Sequence, residues 1–548
     1  MPSPSPKRAK SSAKASKAVS KTTLASRKKT TPVKAKPAKS VKGKPEFSKI
    51  VAGGATPERR FVLLPEHGLK AVGAGSQQGF LEMSQYLHRG MSGAAVPFTR
   101  PYASVPLPPM RLIDEINENK AKLIELNPDD ITALRMQLPG IRIVPEVFYQ
   151  LQPSVRVAVQ NRVANATAQT AMTIHVKSNQ GRPVPGAFVI AFTDFAQQTG
   201  ASGTTNASGK VKLALGSTSA KIERLYIYPH SGHWGLLKKN FILSANDQFT
   251  LTAIQFPFTD SLDAVYGQGA PRDGAGVKVA VLDTGSGPHP DLVIAGGENT
   301  VVGEDPQNYE DNGDQHGTHV AGIIAARGMA PTGRSGVAPG VSIYSYRVFA
   351  KGQSASNFAI AKAIDRAVQN GCHLINMSLG GGDPDPVISS AIADARNAGA
   401  VAIVASGNDG RQPVSFPAND SRALAVSAMG RKGTFPATAV ESGDVAGPFG
   451  NNPKDFIAAF SNIGAQISLT GPGVGVISTV PGGYAVMSGT SMACPAVTGL
   501  AARLLAKTPA ILNMPANQTR SDKIIQLLLA SAVSLGFPAS MEGRGLPQ

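Results

Sequence analysis

Three short stretches of this 548-residue chain carry the residue types of a proton-transfer chain. "VAVLDTG" sets Asp283 at the end of an apolar run, "QHGTHVAGIIAA" sets His316 at the start of another, and "SGTSMACP" sets Ser491 ahead of a long segment with helical apolar spacing. An aliphatic hydroxyl is a weak nucleophile. It needs a base within hydrogen-bond reach, and that base needs a carboxylate to fix its tautomer and stabilise its cation. Taken singly, each residue has a plainer reading: aspartate after a strand and serine before a helix are common caps, and histidine at a helix start is often structural. Together, at the edges of three regular elements, they point to nucleophilic catalysis. A metallohydrolase built on His316 and His319 is disfavoured, because no HExxH helix or clear third ligand accompanies the pair.

The elements that must position these residues follow from periodicity. "VKVAVLD", "VSIYSYRVF", "CHLINMSLG" and "AVAIVASGN" read as buried strands, and Asn357 to Asn370 and Val387 to Asn397 read as amphipathic helices between them. Alternation of this kind implies an α/β domain over residues 265–548, a parallel sheet flanked by helices. Ligands of such sheets bind at the carboxyl ends of the strands, where Asp283, Gly380 to Gly382 and Asn408 fall. Ser491 is expected at a helix N-terminus, with Pro495 near enough to the start that its missing N–H costs little.

Two smaller units are expected upstream, on a length prior of about three or four domains. Residues 58–152 read as an α+β unit. Its strands are Arg60 to Pro65, Met110 to Ile116 and Ala121 to Leu126, followed by a helix with Asn127 as N-cap and Pro128 at the first position, then "IRIVPEVFYQL" in extended form. Residues 168–256 carry "TIHVKS", "AFVIAF", "KVKLAL", "RLYIYP" and "FTLTAI" between turn signals, which predicts a small antiparallel β-sandwich. It is similar to the immunoglobulin-like modules appended to many enzymes, with the role of a spacer or binding module.

Residues 1–57 are expected to be a disordered basic tail. Residues 1 to 45 hold 14 Lys or Arg and no acid, so 14 of the net +18 lies there and the rest of the chain carries only +4. The tail resembles those of linker histones, which implies non-specific contact with nucleic acid or another polyanion through counterion release. It lacks an apolar core of the signal-peptide type, so the expected location is cytoplasmic, or extracellular by a non-standard route. No run of about 18 apolar residues predicts a membrane span. Cys372 and Cys494 form no disulfide framework and no CxxC pair, and read as small buried hydrophobes.

The chain order Asp, His, Ser is that of subtilisin. Asp283-Thr284-Gly285, His316-Gly317-Thr318-His319-Val320-Ala321-Gly322 and Gly489-Thr490-Ser491-Met492-Ala493 resemble the three signature segments of the subtilisin-like serine proteases, the subtilases. The resemblance implies that Asp283 orients His316, that His316 is general base and then acid, and that Ser491 is the nucleophile. It implies Asn408, in "ASGN", as the side-chain donor of an oxyanion hole shared with the Ser491 backbone N–H. Substrate contacts are implied for Ser378, Leu379, Gly380, Ser406 and Gly407, with Ser415 at the base of the primary specificity pocket. His319 matches a structural position of the family.

The activity so implied is endopeptidase action of broad specificity on polypeptides, made as a zymogen in which residues 58–152 are an inhibitor-type propeptide. No cofactor is required. Asp291 in "HPDL" matches a family calcium ligand, but "RGMAPTGRSG" lacks the Asn or Asp that completes the usual site, and no metal residue is assigned. Ala496 stands where many relatives have histidine.

Overall fold

The computed structural model describes residues 59–91, 107–151, 157–164, 171–329 and 333–548, all within one unit spanning 56–548. The basic tail lies outside the described residues.

The first element group contains β1 (Arg60–Pro65), α1 (Ala74–Met91), β2 (Met110–Glu115), β3 (Lys122–Leu126), α2 (Ile131–Gln137) and β4 (Ile141–Pro145). The four strands form an antiparallel sheet in the order β2-β3-β1-β4. Asn127 caps the 3-10 turn Pro128–Asp130 that leads into α2, its side chain accepting from the Asp129 N–H. Helix α1 falls where the sequence reads only as a Gly- and Ser-containing stretch; Phe80, Met83 and Leu87 bury one stripe of it against the sheet. Strand β5 (Phe148–Leu151) then leaves this sheet altogether.

The next group is β6 (Asn161–Arg162), β7 (Ala171–Ser178), β8 (Phe188–Asp194), β9 (Thr199–Thr204), β10 (Lys210–Ala214), β11 (Ser219–Tyr228), β12 (Leu236–Ser244) and β13 (Gln248–Leu251). They make sheets β10-β7-β13 and β12-β11-β8-β9-β6 around a shared apolar core that includes Ile174, Val189 and Leu225. Strand β7 alternates intermediate and buried positions along its whole length, as a one-sided strand must. The pairing departs from the all-antiparallel expectation at two edges. β13 runs parallel to β7, and β6 parallel to β9, because the first and last segments of the group are laid alongside strands distant in sequence rather than joined by hairpins.

The remainder comprises α3 (Ser261–Tyr266), β14 (Lys278–Asp283), β15 (Ile294–Asn299), α4 (His316–Ala325), β16 (Ser342–Arg347), β17 (Ala355–Ser356), α5 (Asn357–Gln369), β18 (Leu374–Met377), β19 (Leu379–Gly380), α6 (Pro386–Asn397), β20 (Val401–Ala405), β21 (Leu424–Arg431), β22 (Asp455–Ile457), β23 (Ile467–Pro472), β24 (Val476–Val480), β25 (Gly483–Met487) and α7 (Thr490–Ala506), followed by short C-terminal elements. The main sheet has the order β15-β16-β14-β18-β20-β21-β22, with β23 also on β21, and every pairing is parallel except β21–β22.

Alternation along its strands divides the interior in two. Val279 and Val281 of β14, with Val401 and Ile403 of β20, face the core under α4 and α7; Ala280 and Leu282, with Ala402 and Val404, face the core under α5 and α6. A strand buried on both faces needs apolar residues at every position, which is why these runs carry no polar alternation. Among the described residues no helix is long and apolar enough to cross a membrane. Cys372 and Cys494 are both free and buried.

Candidate active site

Asp283 is the last residue of β14, at the carboxyl edge of the sheet, and is fully buried. One carboxylate oxygen, Oδ1, accepts from the Thr284 N–H at 2.8 Å and lies 2.8 Å from His316 Nδ1, which fixes the imidazole with its other nitrogen facing away. His316 is the first residue of α4, reached through Gln315 in a left-handed conformation at φ 68°. Burial alone disfavours the imidazolium, yet the Asp283 carboxylate, with Asp311 and Asp314 behind it, outweighs that cost and holds the His316 pKa above the ordinary histidine value. Gly317 must be glycine: an added Cβ would lie 2.1 Å from the Gly285 carbonyl oxygen.

Ser491 is the second residue of α7, and α7 packs on α4. Its hydroxyl donates to the Ser378 carbonyl at 3.3 Å, while the Ser378 hydroxyl donates to the Ser491 carbonyl at 3.0 Å. Asn408, beyond the end of β20, meets the same helix start: its Oδ1 accepts from both the N–H and the hydroxyl of Thr490, each at 2.9 Å. That double acceptance dictates the amide's orientation and turns Nδ2 the other way. Three buried polar atoms here, Asp283 Oδ2, His316 Nε2 and Asn408 Nδ2, have no hydrogen-bond partner. Unsatisfied buried polar atoms are costly, at about 1–3 kcal/mol each, and clusters of them mark functional sites.

The other residues singled out from sequence surround this centre. Ser406 and Gly407 continue β20, Gly407 in a left-handed conformation at φ +111°, and the Ser415 hydroxyl donates to the Ser406 carbonyl at 3.1 Å, directly beneath that turn. Leu379 and Gly380 form the short edge strand β19. His319, one turn along α4 from His316, is fully buried, with Nε2 3.2 Å from the Ala485 carbonyl, and burial pushes its pKa down to about 3.

The Asp291 carboxylate meets protein donors at both oxygens. One of its carboxylate oxygens accepts from the Met329 N–H at 2.8 Å and the other from the Tyr484 hydroxyl. No group of three or more His, Cys, Asp or Glu side chains is arranged to hold a metal among the described residues.

Three features escaped sequence reasoning. Thr490 orients Asn408, though its position beside Ser491 could have signalled a role. The edge β17 faces β19, and between them lies β5: Ala355 and Ser356 pair antiparallel with Tyr149 and Phe148, and Leu379 and Gly380 pair antiparallel with Leu151 and Gln150. Tyr149 is thereby buried, its ring centroid 5.9 Å from that of Phe416 and its hydroxyl 3.4 Å from Asp385 Oδ2.

An extended segment thus fills a sheet-edge cleft in a domain that also carries the Asp283–His316 pair and the helix start at Ser491. Comparison with known proteins specifies that domain further. Residues 274–545 match the model of the subtilase family. The chain is 39% identical over 274 residues to the thermostable alkaline protease of Halalkalibacterium halodurans, covering 50% of this chain and 66% of that one. It is 39% identical to subtilisin Savinase of Lederbergia lenta over 89% of that protein, and 37% identical to subtilisin DY of Bacillus licheniformis over 92%. The chain belongs to the subtilase family and is a serine-type endopeptidase of the subtilisin kind.

Proposed function

We propose that the protein hydrolyses peptide bonds with Ser491 as nucleophile, His316 as general base and then acid, Asp283 as the group that orients and stabilises the imidazolium, and Asn408 with the Ser491 N–H as oxyanion donors. The observation that carries this reading is the pairing of His316 Nδ1 with Asp283 while His316 Nε2 and Asn408 Nδ2 stay buried and unpartnered. As the Ser491 hydroxyl attacks a carbonyl carbon, its proton passes to His316 Nε2 and the carbonyl oxygen becomes an anion facing Asn408 Nδ2 and the start of α7. Collapse gives an acyl-enzyme and an amine that takes the proton from His316; water then repeats the sequence in reverse. Recognition runs through backbone pairing on β17 and β19, which suits many sequences. Ser415, a small residue, leaves room in the primary pocket for a sizeable apolar side chain.

The chain is made as a zymogen in this reading, with residues 58–152 as propeptide. Its sheet packs Val62, Leu64 and Leu123 on the core beneath α5 and α6, and Lys362–Asp114 and Lys120–Asp365 ion pairs at 2.8 and 2.5 Å join the two. Segment 148–151 holds the substrate cleft in product-like fashion. The sandwich remains an immunoglobulin-like module in this proposal. The tail at 1–45 contributes polyanion contact, which deletion of those residues should abolish along with its salt dependence.

The test is casein hydrolysis by the processed chain. Activity that disappears in Ser491→Ala supports the reading; equal activity in that variant excludes it.

A further inference from the structure

A cavity of about 620 Å3 separates the sandwich from the catalytic sheet, a size in the range of ligand sites. One wall is catalytic: Asn408, whose Nδ2 is the unpartnered donor, and Met487 and Ser488, which lead into α7. The opposite wall is aromatic and belongs to the sandwich. Phe195, Tyr226 and Tyr228 line it, with Tyr226 and Tyr228 stacked at 6.1 Å and the Arg224 guanidinium 3.6 Å above the Phe195 ring. Such rings offer rigid apolar surface with few rotamers to immobilise.

The sandwich is fastened beside the catalytic machinery in a way a spacer does not require. The His230 ring contacts the side chain of Gln315, the residue before His316. The Gly232 N–H donates to the Tyr484 carbonyl at 2.8 Å, the Leu237 N–H to the Thr438 carbonyl at 2.8 Å, and Trp234 is buried in the catalytic core.

Two described segments of the chain, 148–151 and 157–159, mark the ends between which a bound peptide would extend. Phe148–Leu151 lies on the β17 and β19 edges, and six residues further on Val157 lines the cavity, with Val157 and Val159 packed against the cluster of Phe192 and Tyr226. The described residues on the far side of 152–156 thus meet the aromatic wall with aliphatic side chains. Charges of both signs line the cavity, Asp409, Glu441 and Asp444 on the catalytic side and Arg224 on the other, and an acidic side chain laid on the aromatic wall would lose water.

We propose that this cavity is the subsite for the residues that follow the scissile bond, that the sandwich supplies its aromatic wall, and that it selects polypeptides with apolar side chains in their leaving-group half. The proposal rests on the endopeptidase reading above. Specificity is then shared between two modules, the acyl half of the substrate being held by sheet edges and the amine half by the sandwich.

The test uses processed full-length protein and internally quenched peptides with one fixed acyl half and valine, serine or aspartate in the three positions after the scissile bond. A p-nitroanilide of the same acyl half reports the acyl side alone. The valine peptide should exceed the aspartate peptide about tenfold in kcat/KM, the scale of discrimination that an apolar pocket supplies. In Phe195→Ala and in Tyr228→Ala that ratio should fall to about two; two variants are used so that misfolding of one leaves the other to decide. An unsubstituted protein with no preference, a preference for aspartate, or a ratio unaltered in both variants overturns the proposal. Failure of the unsubstituted protein on every peptide and on the p-nitroanilide would instead remove the endopeptidase reading, and the proposal with it.

Discussion

Replacing Asn408 by aspartate separates its structural work from its catalytic work. The Oδ1 atom of Asn408 accepts two hydrogen bonds from Thr490, while Nδ2 has no protein partner. Aspartate is nearly isosteric and keeps the acceptor, so the turn into α7 retains both bonds. What is lost is the N–H donor proposed to face the developing oxyanion, and what is gained is negative charge in its place. Removing such a donor costs about 100- to 1000-fold in kcat, or roughly 2.7–4 kcal/mol, a magnitude measured on subtilisin and transferred here. The added carboxylate repels the same oxyanion, so Asn408→Asp should fall at or beyond the upper end, with KM changed little. Asn408→Leu should lose a similar factor in kcat but also leave the Thr490 N–H and hydroxyl buried without an acceptor, at about 1–3 kcal/mol each. Steady-state kinetics on a p-nitroanilide, with melting temperatures for all three proteins, distinguish the two effects. An aspartate variant within threefold of the parent in kcat would refute the oxyanion assignment.

Three further outcomes follow from the same geometry. Asp283→Asn should lower kcat by about 3 × 10⁴, the loss measured for the orienting aspartate of subtilisin; because the carboxylate raises the His316 pKa, the acid limb of residual activity should also move to lower pH, and an unmoved limb counts against the pairing. Tyr149→Ala empties a buried aromatic seat, worth about 3 kcal/mol, so segment 148–151 should hold the cleft roughly 100-fold less tightly and the lag between processing and activity should shorten; an unaltered lag contradicts that anchoring. His319 is neutral when folded because burial depresses its pKa to about 3, so below about pH 6.5 the unfolded chain binds a proton the folded one does not, and stability falls as pH falls. In a Ser491→Ala background, His319→Gln should reduce the stability lost between pH 6.5 and 5.5 by about 1 kcal/mol, measured by denaturant unfolding, and an equal loss in both proteins would remove the argument.

The catalytic half was legible because its chemistry restricts residue type at element edges. Asp283 had to end a buried strand, His316 had to begin a helix, and Ser491 had to follow a Gly-Thr pair; each pattern is local and apolar runs frame it. Helix α1 was illegible for the opposite reason: Phe80, Met83 and Leu87 carry helical spacing, but the Gly and Ser around them diluted the signal. The parallel pairing of β13 with β7 joins residues some 73 positions apart, such as Gln248 and His175, and no local pattern encodes it. The seat of Tyr149 and the cavity beside Asn408 depend on surfaces from separate modules meeting, which periodicity within one module cannot report. At Asp291 the motif specifies a residue but not the donors, Met329 and Tyr484, that its oxygens meet.

The most direct measurement is covalent labelling of the processed protein with a serine-directed fluorophosphonate, followed by peptide mapping. The account predicts one modified residue, Ser491, with labelling that vanishes in His316→Ala. Phosphonylation elsewhere with Ser491 unmodified, or labelling of Ser491 at full rate without the His316 imidazole, would contradict it.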